Sequence, residues 1–295
     1  MKLANESAEI ASRVLQKCSD EVMTAGPWRW LCAVQNGTRL PIAATHDDGF
    51  LHLACCTEEA HESASTLEDA LLGNNLLAGG VKVARDDSSG ALRLHTDIVV
   101  IEEKQLLDRF WWALDGFHDG CQLLKSPASR LNYASAELAD CGAGLGELLR
   151  ESSWASTERG PNDFSVELDQ DSAAKARIRM RKSGVVLSVE LIRAHALTEV
   201  NRRALAVFLL TASSGLRMVR ACAAELDGGW SFGMQVSLPA MPAAEEVGHG
   251  LAALSLAYRM CARETSVLLD DAAARCYLAA RDTSTTNDHQ EEKEN

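Results

Sequence analysis

A series of predicted elements occurs twice in this 295-residue chain, and that internal repeat constrains the fold more than any single motif does. Over 6–23, Ile10, Val14 and Leu15 recur at helical spacing, Ala11 and Cys18 extend the stripe, and Gly26-Pro27 supplies a stop. Three β-like runs follow, WRWLCAV (28–34), RLPIAAT (39–45) and FLHLACC (50–56). They are separated by Asn36-Gly37 and Asp48-Gly49, dipeptides suited to tight hairpins, which predicts an antiparallel meander. Helical spacing returns over 57–77 through Leu67, Ala70 and Leu71 and exits at Gly79-Gly80. Strands are predicted at 81–86 and 91–100; in the second, Leu92, Leu94 and Thr96 alternate with Arg93, His95 and Asp97, giving one buried and one wet face. Leu106, Phe110, Leu114, Phe117, Cys121 and Leu124 then mark the core stripe of a closing helix.

The same order recurs about 136 residues later. It comprises a helix over 128–150, strands at 164–168, 176–181 and 185–192, and a helix containing 202–210. Strands at 216–222 and 230–238 and a long helix through Val247, Leu251, Leu254, Tyr258 and Cys261 complete it. Residue classes also match between Gly80-Val81-Lys82-Val83-Ala84-Arg85 and Gly215-Leu216-Arg217-Met218-Val219-Arg220. The expected fold is therefore α+β: a tandem repeat of helix-βββ-helix-ββ-helix units with antiparallel sheets. Unit 1 covers 1–125 and unit 2 covers 126–281, with the boundary at Ser126-Pro127 and a mobile loop over 152–163. The segment 282–295 carries no apolar residue and is expected to be a disordered acidic tail.

Composition narrows the function classes. A chain 46% hydrophobic but only 5% aromatic can bury a large, mostly aliphatic core. A net charge of −13, from 42 acidic and 29 basic residues, argues against a general nucleic-acid or anionic-membrane binder. No run approaches the length of an apolar membrane span, and Glu and Ser interrupt the N-terminal segment, so neither membrane insertion nor a cleaved signal is expected. Nine cysteines, an odd count in a chain this long, read as reduced thiols of a cytoplasmic protein.

Residues 70–117, ALLGNNLLAGGVKVARDDSSGALRLHTDIVVIEEKQLLDRFWWALDGF, combine a leucine-rich helix end, a glycine pair, two strands around an Asp/Gly turn and an amphipathic helix with Trp and Phe. In this they resemble the class I type III secretion chaperones, the CesT/Tir-chaperone-like family of small acidic effector-binding proteins. The second half fits more loosely over 202–262: it lacks the Asn, has CAAELDGG at the turn, and carries Pro239 and Pro242 before the helix.

The resemblance implies units that pair as homodimers, so two units in one chain imply a covalent pseudo-dimer, monomeric in solution. Strand 81–86 would lie near strand 216–222, with Val81, Val83, Leu216 and Met218 in the contact. It also implies a non-enzymatic, cofactor-free cytoplasmic protein that binds an extended segment of a secreted effector and keeps it soluble and secretion-competent. The alternatives are a regulator or scaffold of the secretion system with the same fold, and a small thiol-dependent enzyme.

For the enzyme, Cys32, Cys55 or Cys56 would be the nucleophile, His46 or His52 the base, and Asp47 or Asp48 the orienting acid. Acids beside Gly49 are, however, what a turn requires anyway. His52-x-x-Cys55-Cys56 has metal-like composition, but strand alternation turns Cys55 away from His52 and no second Cys pair completes a site, so no metal is expected. The glycine runs lack the Lys-Ser/Thr ending of a phosphate loop. With aromatics so sparse, Trp28, Trp30, Trp112, Trp230 and Phe232 are the expected partner contacts, Trp112 above all because it falls on the side with Gln105, Asp108, Arg109 and Asp119.

Overall fold

The computed structural model describes residues 2–36, 38–60, 64–125, 144–160, 162–168, 174–181 and 184–291. The first unit runs α1 (Lys2–Cys18), β1 (Glu21–Gly26), β2 (Arg29–Asn36), β3 (Thr38–Asp47), β4 (Phe50–Ala60), α2 (Ala64–Asn74), β5 (Lys82–Arg85), β6 (Leu92–Val99) and α3 (Glu103–Lys125). The second runs α4 (Gly144–Glu151), β7 (Ser156–Gly160), β8 (Asp163–Glu167), β9 (Lys175–Arg181), β10 (Gly184–His195), α5 (Glu199–Ser214), β11 (Arg220–Leu226), β12 (Gly229–Leu238) and α6 (Ala244–Val267). A last helix, α7 (Asp271–Glu291), has no counterpart in the first unit among the described residues. Read from the outer edge inward, the sheets are β1-β2-β3-β4-β6-β5 and β7-β8-β9-β10-β12-β11, one topology built twice.

The α+β pseudo-dimeric architecture is as expected, with one more strand per unit. The first helix stops at Cys18, and 21–26 form β1, hydrogen-bonded to β2 through pairs such as Met23↔Leu31. Gly26-Pro27 is thus part of a hairpin turn, with Trp28 at φ 56, rather than a helix stop. The equivalent strand β7 occupies 156–160, inside the segment expected to be a mobile loop. Both added strands lie at sheet edges and expose nearly every residue, so neither carries the alternation that identifies a strand. The expected boundary at 126 and most of the helix expected over 128–150 lie outside the described residues; α4 is its described part. Beyond 281 the backbone stays helical to Glu291 where a disordered tail was expected, and 292–295 lie outside the described residues.

The ladders fix which residues are equivalent. The hairpins β3-β4 and β9-β10 close on Asp47↔Phe50 and Arg181↔Gly184, so Phe50 corresponds to Gly184. Continuing inward, Leu51 pairs with Ile98 and Val185 with Leu238, while Lys82 pairs with His95 and Arg220 with Gln235. Lys82 is therefore the counterpart of Arg220, and the class match that set Arg85 against Arg220 is three residues out of register. Backbone conformation agrees: Gly80 (φ 65) and its counterpart Met218 (φ 61) are both left-handed.

The halves meet along their inner strands, with α2 packed on β11 and α5 on β5. Val81 and Val83 are fully buried, and Leu216 and Met218 nearly so. Asn74 spans the seam, donating to Val83 O (3.0 Å) and Ala221 O (2.8 Å) while accepting from Val83 N (2.7 Å). Arg220 donates to Leu77 O (2.7 Å) and Val81 O (3.1 Å), and Lys82 reciprocates with Leu216 O. Burial pushes the Arg220 guanidinium down to about 10, which still leaves it charged at neutral pH. Around this polar seam, side chains such as Phe110, Phe117 and Phe232 fill the core, each stabilising the fold by about 1.5–3 kcal/mol through burial.

Candidate partner-binding surface

The aromatic residues do not form one surface. Trp30 alternates onto the core face of β2 and is 5% exposed, and Phe232 is buried in β12 under the stacked ring of Trp230 (5.9 Å between centroids). Both support the fold, so neither meets a partner in this conformation, contrary to expectation. Trp28 is 40% exposed in the β1-β2 turn, and Trp230 is half-buried with Arg202 over its ring. Trp112 is half-buried and lines an open groove of about 820 Å3 between α3 and the Pro239–Ala243 segment. Gln105, Asp108 and Arg109 line that groove too, together with Met241, which is almost fully exposed. Arg109 closes one wall by donating to Glu246 of the other half at 2.9 and 3.0 Å.

A second surface was missed in the sequence. Cross-strand pairing places Met23, Leu31, Ala43 and Ala54 in one row across the outer face of the first sheet. Met23 is 63% and Leu31 45% exposed, while the two alanines are partly exposed. The equivalent row of the second sheet is Thr157, Ser165, Arg177 and Ser188. The fold therefore tolerates a polar row at these positions, and Arg177 there donates to Asp163 at 2.9 Å. Strand β1, which begins the apolar row, is also the outer edge of its sheet, with one side of its backbone unpaired among the described strands. Recognising 21–26 as a strand would have exposed this row, because Leu31 alternates with the buried Trp30 and Cys32.

Further along the same face, the apolar row runs into a charged cluster at the seam. Asp97 accepts from Lys82 Nζ (3.2 Å) and from Met218 N (2.7 Å), and its other oxygen lies 2.6 Å from His52 Nδ1. Burial alone would push the Asp97 carboxyl up. Lys82, His52 and the Met218 amide outweigh it and hold the group well below the usual carboxylate range. His95, pushed down to about 4 by burial and then by Lys82, is neutral at physiological pH. Nearby Arg217 bonds Asp47 (2.6 Å) and lies over Phe50 (5.0 Å), so the row of acids expected at this turn ties the two halves together.

Among the described side chains, His52 and Cys55 do not come together in the thiol arrangement considered above. Cys55 is in register with the buried Ile42 and Leu94 on the core face, whereas His52 and Asp97 share the opposite face. Cys56 has no described side chain. Burial pushes the Cys18, Cys222 and Cys261 thiols up to about 11 and raises Cys32 as well, which disfavours the nucleophilic thiolate. Among the described residues, no group of three His, Cys, Asp or Glu is placed to hold a metal ion, and no helix is long and apolar enough to cross a membrane. No protein-family model, curated protein or solved structure matches this chain.

Proposed function

We propose that this protein is a type III secretion chaperone-like protein that binds an extended segment of a secreted effector in the bacterial cytoplasm and keeps it secretion-competent. The observation that carries the reading is the apolar row Met23-Leu31-Ala43-Ala54, present on one half and replaced by polar residues at every equivalent position of the other. A partner laid across the row would bury those side chains, and its backbone could extend the sheet at the β1 edge by main-chain hydrogen bonds. The halves then divide the work: the first presents the contact surface and the second completes the folded body. Binding that orders a disordered segment gives up part of its interaction free energy, which leaves the complex releasable.

The test is titration of the protein into fluorescently labelled N-terminal segments of effectors from the same host. Met23→Asp/Leu31→Asp is expected to weaken binding at least about tenfold, since burying each side chain is worth about 1.5–3 kcal/mol. Both positions are exposed, so far-UV circular dichroism should not change. Thr157→Asp, at the position equivalent to Met23, serves as the control and should bind normally. Equal affinity of all three proteins would refute the assignment.

The pseudo-dimer carries its own expected outcome. Light scattering should give one species near the chain mass of 31.9 kDa, because the inner strands that homodimeric units would use already pack against the other half within the chain. A stable species of twice that mass would contradict it.

A further inference from the structure

Helix α3 lies close against the first sheet at Gly120, where a Cβ would lie 2.5 Å from Leu94 Cδ2. Leu94 is the cross-strand partner of Cys55, so the close approach brings the next helical residue, Cys121, over Cys55, and the two thiols are hydrogen-bonded. Cys55 is buried and Cys121 is half-exposed. The pair belongs to the first half alone: the ladder makes Val189 the counterpart of Cys55. We propose that Cys121 and Cys55 form a reversible, peroxide-driven disulfide, with Cys121 attacking and Cys55 resolving.

The division of labour follows from the surroundings. The hydrogen bond from Cys55 favours the Cys121 thiolate; partial burial opposes this and Lys125, one turn further along α3, assists, bringing the thiol down to about 7. The buried thiols of Cys18, Cys32, Cys222 and Cys261 shift the opposite way. In the first step the Cys121 thiolate attacks one oxygen of hydrogen peroxide, the O–O bond breaks, hydroxide leaves, and Cys121 becomes a sulfenic acid. In the second, the Cys55 sulfur attacks the Cys121 sulfur; the S–O bond breaks, the Cys55 proton leaves with the departing hydroxide as water, and the disulfide forms. One peroxide is reduced to two waters and two thiols are oxidised; a dithiol reductant reverses the change. Such a bond would staple α3, which carries the Arg109 and Trp112 wall of the seam groove, to strand β4.

Treatment of the full chain with one equivalent of hydrogen peroxide, followed by digestion and mass spectrometry, should yield a dithiothreitol-sensitive peptide pair joining Cys55 to Cys121. In Cys55→Ala the same treatment with dimedone present should trap Cys121 as its sulfenic adduct. Iodoacetamide should alkylate Cys121 about fourfold more slowly in that variant at pH 7, because the lost hydrogen bond lowers the thiolate fraction more than the rise in nucleophilicity restores. Cys121→Ser should abolish the crosslink while leaving the circular dichroism spectrum intact. The proposal is overturned if peroxide joins molecules only through the exposed Cys276, if Cys121 proceeds to sulfinic acid while Cys55 stays a thiol, or if Cys55→Ala leaves the alkylation rate unchanged.

Discussion

Lys82→Met is expected to destabilise the protein by about 3–5 kcal/mol at neutral pH, since it removes the cation facing a carboxylate enclosed by the seam. The side chains of Lys82 and Asp97 are 3% and 9% exposed, so water cannot replace the lost partner. The remaining contacts of Asp97, Met218 N and His52, come from a neutral amide and a ring that is partly exposed. The double variant Lys82→Met/Asp97→Leu should recover most of the loss, because a buried ion pair exchanged for apolar side chains is often neutral in net stability. The pH dependence follows from the sign of the Asp97 shift. Its carboxyl is held below the value of the unfolded chain, so its contribution is complete above about pH 4 and is lost as pH falls through the lower folded value. Without Lys82 the folded carboxyl rises, and the acid limb of the stability curve should move to higher pH. Urea unfolding between pH 3 and 8 measures both effects; a single variant within about 1 kcal/mol of the parent would show that the pair is not stabilising the seam.

The sequence marks this cluster only in disguise. Arg93, His95 and Asp97 alternate with apolar neighbours and so predict a wet face, as they would in an isolated unit. Arg93 does stay exposed, but around Asp97 the face is enclosed because the second half covers it, and no local pattern records the covering. The β3-β4 and β11-β12 hairpins, by contrast, are local and were legible. Asp48-Gly49 closes β3-β4 with both residues left-handed (φ 49 and 78), and the Asp227-Gly228 turn places Gly228 at φ 79. Repeat order was legible from hydrophobic periodicity, but its register was not: Met218 takes the left-handed position that Gly80 holds, so matching glycine to glycine slides the halves by three residues. The aromatic residues misled for a related reason. Trp30 and Phe232 are apolar enough to be core, and the exposed surface went to Met23 and Leu31, whose residue types are unremarkable. Helix α7 escaped notice because it docks on α5 through few side chains, chiefly Ala274 and the Tyr277 ring set edge-on to Phe208 (6.2 Å).

Gly116→Ala should destabilise by about 2–4 kcal/mol, the reverse of what the substitution does in an ordinary helix interior. Replacing a helical glycine by alanine normally stabilises by about 0.5–1 kcal/mol, because the unfolded chain loses conformational freedom. At Gly116 the added methyl would sit inside the van der Waals shell of Ala78 O and 2.8 Å from Val81 Cγ2. A backbone carbonyl cannot rotate aside as a flexible side chain can, so α3 must lift away from the α2-β5 connection. The same crossing is tight from the other side: Gly79, left-handed at φ 68, faces the Trp112 carbonyl and lies with its own Cβ direction 2.7 Å from Ala113 Cα. Lifting α3 there would also disturb the Arg109–Glu246 bridge and the inner strand β5, both of which join the halves. Gly248→Ala in α6 is the matched control, since no atom lies within 4 Å of its added methyl, and it should stabilise by the ordinary amount. Thermal unfolding of the two variants therefore should move in opposite directions. If both rise, helix and connection can separate at little cost, and the close glycine crossing does not hold the first unit in the shape its partner half requires.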